Sequence, residues 1–467
     1  MKLVALLTSA WLATLGGLAL AGAKASAKPN ILIILADDLG FADMGAHGCA
    51  DIPTPHLDSI ARDGVRCTQG YVSAPVCSPS RAGLMTGRYQ ERFGHEFNPG
   101  DQKGWGLPLT ETTFAQRLKA AGYATGIVGK WHLGHNPKYR PTDRGFDEYY
   151  GTPANPHSHF HPNLVDTRLS PEPKIVAGDG FYTTDAYGRR AVEFVREHQG
   201  APFFLYLAFN AAHTPLEAPQ KYLDRFPAIA DARRRTYAAM LSALDDAVGG
   251  VLAELRAAKI EERTFIFFLS DNGAPGNNGG SNLPSRGVKG QTWDGGMHVP
   301  FFVQWKGRLP AGRVYDPPVI ALDLLPTALA AAGAEVQPEW QLDGVNLLPF
   351  LSGEKPGVPH EALLWRMGQQ MAVRMGDWKL VRAIGIKGVD KAAATGSADL
   401  GDAHLFHLAN DAREQNNVLS LGSDEFLRLS TTWQKWNAAL TPPLWPPKLE
   451  KGEDADAAPK KAKKRDL

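Results

Sequence analysis

The stretch Ile31-Leu32-Ile33-Ile34-Leu35-Ala36-Asp37-Asp38 decides the fold. An unbroken aliphatic run of this kind reads as a strand buried on both faces, as in a parallel sheet covered by helices. Two carboxylates stand just beyond its carboxyl end, where open α/β sheets collect their reactive groups. Working outward, further buried strands are expected at 126–129, 203–209, 265–269 and 301–305. Helices are expected at 55–60, 113–121, 186–197, 233–255 and 322–332. Alternating strands and helices give the α/β class: a large, mainly parallel sheet sandwiched by helices.

After about Pro349 the pattern changes. Strands are expected at 362–367, 370–374, 378–382 and 405–408, with no helix between the first three, and a helix near 424–440. That is a smaller antiparallel sheet with one packed helix. The expected domains are therefore an α/β domain over 28–350, an α+β subdomain over 351–445 and a charged tail over 446–467. The tail, rich in Pro, Lys and Ala, reads as solvated; contact with an anionic polymer or membrane surface is the lesser alternative. At the other end, Lys2 precedes an apolar run to about Ala21. Ala21-Gly22-Ala23 and Ala25-Ser26-Ala27 then offer small-x-small cleavage sites. Residues 1–27 read as a signal peptide, so the protein is expected to be exported, periplasmic or secreted. Thr8, Ser9, Thr14 and Gly16-Gly17 argue against an uncleaved anchor, so no stable membrane insertion is expected after cleavage.

The chain has 467 residues, 43% hydrophobic and 21% charged, enough for a sizeable core. A formal net charge of +1 and the lack of a basic stripe with interleaved aromatics speak against nucleic acid as a partner. The cysteines are Cys49, Cys67 and Cys77. If Cys77 is modified, Cys49 and Cys67 are left either as a disulfide or as two free thiols.

Two strand ends carry matching chemistry. The first ends in Asp37-Asp38; the strand at 265–269 ends in Ser270-Asp271-Asn272-Gly273. Carboxylates and an amide make an all-oxygen site that suits Ca²⁺ or Mg²⁺ rather than zinc. Each motif alone is also a common cap or turn. A third element is Cys77-Ser78-Pro79-Ser80-Arg81, then Ala82-Gly83-Leu84-Met85-Thr86-Gly87-Arg88. Pro79 and the small residues predict a helix from near Ser78, with Cys77 at its N-terminus. A plain cysteine there would be a thiolate of depressed pKa, or else an ordinary small buried residue.

Cys-x-Pro-x-Arg followed by x-Gly-x-x-x-Gly-Arg resembles the sulfatase signature, in which the Cys is oxidised to formylglycine. Other segments agree in order: Pro29-Asn30 through Gly40, Gly129-Lys130-Trp131-His132-Leu133-Gly134, His213-Thr214-Pro215, Ser270 to Gly273, Gly287-Val288-Lys289-Gly290, and Asp294-Gly295-Gly296. The resemblance spans roughly Pro29 to Phe350 and implies an alkaline-phosphatase-like fold. It also implies a sulfuric ester hydrolase (EC 3.1.6.-), and a maturation enzyme that generates the formylglycine. The implied metal ligands are Asp37, Asp38, residue 77, Asp271 and Asn272, with Ca²⁺ expected and Mg²⁺ as the alternative. The aldehyde would hydrate to a gem-diol; one hydroxyl attacks sulfur and the second expels sulfate. Asp271 is the implied acceptor of the attacking hydroxyl's proton. Arg81 and Lys130 would hold the diol, and His132 would deprotonate the second hydroxyl. His213 and Lys289 would stand over the leaving oxygen.

Exported sulfatases often resemble enzymes acting on sulfated polysaccharides, so a sulfated carbohydrate is the expected substrate. His95, Asn98, His157, His159 and Arg286 are candidate substrate contacts, with Glu217, Asn277, Asn278 and Trp293 behind them. The alternation of His157, His159 and His161 also raises a second metal as a minor reading. Three rivals stay open. One is an aryl sulfate or phosphonate/phosphate ester hydrolase with the same nucleophile. Another is a non-catalytic binder of sulfated glycans, which predicts the loss of at least one reactive position; none is lost. The third is a hydrolase using the Cys77 thiolate.

Overall fold

A computed structural model describes residues 28–100, 104–169, 180–383 and 400–446. The expected signal peptide and nearly all of the tail lie outside them. No described helix is long and apolar enough to cross a membrane.

The opening run forms β1 (Asn30–Ala36), buried along its whole length. The strands that follow are β2 (Val65–Cys67), β3 (Gly70–Tyr71), β4 (Ala124–Gly129), β5 (Glu148–Gly151), β6 (Val165–Asp166), β7 (Phe203–Ala208), β8 (Thr264–Ser270), β9 (Phe301–Gln304), β10 (Arg313–Tyr315) and β11 (Val319–Ile320). One sheet of nine strands runs β10-β2-β9-β8-β1-β7-β4-β5-β6, and β3 pairs with β11 apart from it. The centre, from β8 to β5, is parallel. The expected strand at 301–305 is present but antiparallel to β8, and β6 is antiparallel to β5. The buried run could not reveal direction, because a strand covered on both faces looks the same either way.

Alternate residues of β1 serve opposite faces. Ile31, Ile33 and Leu35 join one core, with the Cys77–Thr86 and Leu324–Ala331 helices and the C-terminal sheet. Leu32, Ile34 and Ala36 join the other, with the Pro55–Arg62, Thr183–His198 and Ala232–Ala257 helices. Burying each such aliphatic side chain is worth about 1.5–3 kcal/mol. Cys67 belongs to the first core and Cys49 packs against the second, so the sheet separates them. Both are free thiols, and the disulfide alternative is corrected.

The C-terminal region forms a separate antiparallel sheet of β12 (Leu363–Met367), β13 (Gln370–Met375), β14 (Trp378–Arg382) and β15 (His404–His407), packed with the Asp424–Asn437 helix. For the site, the decisive feature is register. Leu35 is level with Ala208 of β7 and Leu269 of β8, and Gly129 of β4 is also level with Ala208. The residues after four strand ends thus emerge side by side. Gly129 is required there: it has φ 117°, and a Cβ would stand 1.7 Å from the Ala208 carbonyl oxygen.

Candidate active site

Asp37 and Asp38 follow β1, Lys130 and His132 follow β4, His213 follows β7, and Asp271 and Asn272 follow β8. Cys77 begins the Cys77–Thr86 helix, every residue of which is buried. The structure brings all of these together with Arg81 and Lys289. Cys77 Sγ lies 3.6 Å from Asp37 Oδ1. Lys130 Nζ donates to Asp37 Oδ2 at 2.5 Å. Arg81 donates to Asp271 Oδ2 through Nε at 2.9 Å and Nη2 at 2.7 Å, and through Nη1 to the Lys130 carbonyl at 3.0 Å. Asn272 Nδ2 donates to Asp38 Oδ1 at 2.6 Å, and Lys289 Nζ to Asp38 Oδ2 at 3.1 Å.

Two of these residues have left-handed backbones without being glycine: Asp38 and His132, each at φ 61°. Strain of this kind persists where the surroundings over-determine it, and it concentrates at functional sites. Here Asn278 donates to the Asp38 carbonyl at 3.1 Å, and Ser78 Oγ to the His132 carbonyl at 2.6 Å.

The electrostatics follow from burial. Burial pushes the Asp37 carboxyl up, but Lys130, His213 and Arg81 outweigh it and hold it below the usual carboxylate range. Burial pushes Lys130 down; Asp37 outweighs that and holds it above the usual lysine value. Burial, then the charges of Lys130 and Arg81, push His132 well below the usual imidazole value, so the ring is neutral. Its Nδ1 is buried with no partner among the described residues. Burial also drives the Cys77 thiol well up, more than Lys130 and Lys289 lower it. The depressed thiolate expected from the helix N-terminus is therefore corrected, because a helix end inside a dry core loses more to desolvation than the dipole returns. His213 Nδ1 donates to the Thr214 carbonyl at 2.6 Å, which turns Nε2 toward the site. Lys289 Nζ and Asn155 Nδ2 both reach that Nε2 at 3.1 Å.

The donor set fits a hard divalent cation. Oxygens of Asp37 and Asp38 cluster with Cys77 Sγ and a His213 nitrogen within 4.8 Å of one another. Asn272 Oδ1 beside them is buried with no partner among the described residues. An oxygen-rich set with one unspent amide oxygen matches Ca²⁺ or Mg²⁺ chemistry.

The candidate substrate contacts divide. His95 is fully buried, with Nε2 2.7 Å from Ser78 Oγ beside Cys77, rather than on an open wall. Asn98 is half-buried and accepts the Ser78 N–H at 3.0 Å, in the first turn of the Cys77–Thr86 helix. His159 is fully buried, bonded to Thr183 and to the His213 carbonyl. His157 and His161 are exposed, so the three imidazoles do not share a face and the second-metal reading is corrected. Arg286 spends Nη1 on the Glu414 carbonyl at 2.8 Å and lies over the Trp293 ring. Glu217 accepts from Ser158 and the His159 N–H, Asn278 is buried against the Asp38 loop, and Asn277 is half-buried. Sequence reasoning missed Asn155, the partner of His213. Its one signal was a position just past the end of β5.

The family model described as Sulfatase matches residues 29–334. N-acetylgalactosamine-6-sulfatase of Canis lupus familiaris is 36% identical over 401 residues, covering 79% of this chain and 74% of that protein. Arylsulfatase G of Rattus norvegicus is 33% identical over 467 residues, covering 88% and 86%. Among solved structures, Ps i-CgsB in complex with k-i-k-neocarrahexaose superposes with a TM-score of 0.81 at 34% identity, covering 90% of this chain and 95% of that one.

Proposed function

The chain belongs to the sulfatase family, and from that premise we propose that it releases sulfate from a carbohydrate sulfate ester, using formylglycine made from Cys77. The observation that carries this is the position of Cys77 Sγ, 3.6 Å from Asp37 and ringed by Lys130, Arg81, Lys289 and His213. Relatives named for N-acetylgalactosamine 6-sulfate and a neighbour solved with a carrageenan hexaose support a sulfated glycan as substrate. The apolar N-terminal run supports export as the proposed location.

Formylglycine at position 77 would supply, as its hydrate, the hydroxyl that attacks sulfur. A Ca²⁺ held by Asp37, Asp38, Asp271 and Asn272 would supply positive charge to that oxygen and to the sulfate. The chain's own residues do the rest. Arg81 and Lys130 neutralise the sulfate oxygens and hold residue 77. Neutral His132, with Nδ1 unspent, accepts a proton from residue 77 when sulfate departs. Lys289 and His213, in mutual contact, protonate and steady the leaving alcohol oxygen. The balance is one ester and one water giving one alcohol and one sulfate.

The test is a desulfation screen of matured protein across sulfated mono-, oligo- and polysaccharides, with aryl sulfates and aryl phosphates in parallel. Sulfate release from a sugar ester is expected. Faster release of phosphate than of any sulfate would defeat the reading.

A further inference from the structure

We infer that the C-terminal region positions Lys289, through Gln370 and Lys379 of its sheet and Glu414 of the loop after β15. The inference rests on the reading of Lys289 as the cation at the leaving oxygen. Lys289 lies in the stretch between β8 and the short Asp294–Met297 helix, outside any strand or helix. On the nucleophile side, the Gly290 N–H donates to the Pro75 carbonyl at 2.8 Å, two residues before Cys77. On the other side the grips come from the C-terminal region. Gln370 Nε2 donates to the Gly290 carbonyl at 2.8 Å, while its Oε1 accepts the Thr292 N–H at 3.3 Å. Thr292 Oγ1 donates to the Arg382 carbonyl at 3.1 Å. Glu414 Oε2 accepts the Asp294 N–H at 2.9 Å. Lys379 Nζ bridges Asp294 Oδ1 at 2.6 Å and Glu414 Oε1 at 2.7 Å.

Residues 290, 292 and 294 are therefore held one after another from the same side. Gln370, Lys379 and Glu414 are all essentially inaccessible to solvent. A buried ion set of this kind adds little net stability over an apolar replacement, and what it fixes is geometry. That geometry matters because Lys289 Nζ must reach Asp38 and His213 together, each at 3.1 Å. A misplacement of about 1 Å from a change remote from the chemistry can cost on the order of 10²-fold in rate. Gln370, Lys379 and Glu414 are accordingly positioning residues: each acts through Lys289.

A displaced leaving-group cation has a signature that general destabilisation lacks. Its loss is felt in proportion to the charge developing on the leaving oxygen. The experiment measures kcat/KM of matured wild type and Gln370→Ala on p-nitrophenyl sulfate, phenyl sulfate and galactose 6-sulfate, a series of rising leaving-group pKa. Gln370→Ala is expected to lose on the order of tenfold or more on the poorer leaving groups, and less than about twofold on p-nitrophenyl sulfate. Val373→Ala, a core change in the same strand, is expected to lower Tm without altering that ratio. Equal losses on all esters, no loss, or the same selectivity in Val373→Ala would overturn the inference. If Gln370→Ala does not fold, Glu414→Gln is read by the same criteria. Wild type that releases no sulfate from any ester would defeat the proposed function itself. Active wild type with an unselective variant would defeat only this inference.

Discussion

Burial pushes the Cys77 thiol well above its usual range, which favours the protonated form. Cys77→Ala and Cys77→Ser should each reduce turnover by at least on the order of 10⁴-fold while leaving the unfolding transition in place. A mass spectrum of the peptide carrying residue 77 from active protein should show a loss of about 18 Da. Full activity with an unmodified thiol would refute the mechanism. A second residue reports on pH. His360 Nε2 sits 2.8 Å and 3.0 Å from the oxygens of Asp323, which also accept the Ile320 and Val345 N–H groups. Burial pushes His360 down, yet Asp323 outweighs it and the imidazole pKa ends above its usual value. A base raised by folding adds stability below its unfolded pKa of about 6.5, and that stability is lost as pH rises through the higher folded value. Denaturation midpoints should therefore fall across that window, and His360→Gln should flatten the slope. An identical slope in both proteins would remove His360 as the cause.

At the level of elements, the end of β4 is the tightest constraint. Gly129→Ala forces a Cβ into the Ala208 carbonyl at a φ that suits glycine. A loss of about 3 kcal/mol or more is expected, read from denaturant midpoints. A variant as stable as wild type would mean that β4 and β7 can separate at that point. The strands themselves were legible because continuous aliphatic runs have few other destinations in a chain this long. Strand direction was not, as β9 demonstrates. The loop after β5 was equally opaque: in Thr152-Pro153-Ala154-Asn155, nothing distinguishes the amide that meets His213 from an ordinary turn residue. His95 and His159 illustrate the converse. Polar residues in such loops resemble pocket lining, yet His95 gives Nε2 to Ser78, and His159 gives its two nitrogens to Thr183 and a backbone carbonyl inside the core.

For the whole molecule, the four strand ends and the C-terminal sheet converge on one charged site. Crowding Asp37, Asp38 and Asp271 in a dry site is costly unless cations offset them. Lys130, Arg81 and Lys289 pair with them one to one, but Asn272 Oδ1 beside them stays buried without a partner among the described residues, as a cation's ligand would. Chelation should therefore abolish sulfate release and lower Tm, and added Ca²⁺ should restore both. A cation at 100 times its Kd would stabilise by about 2.7 kcal/mol. Chelated, metal-free protein working at full rate would sink the cation's role.

Local pattern was enough for the α/β layering, the acidic strand ends and the Cys77 helix start, since each depends on neighbours along the chain. Packing across the fold settled which candidate residues come together, that burial raises the Cys77 thiol, that Cys49 and Cys67 stand on opposite faces of the sheet, and that Gln370 reaches the Lys289 segment. Those depend on register between strands, on desolvation, and on contacts across scores of residues, and no local pattern encodes a distance of that kind.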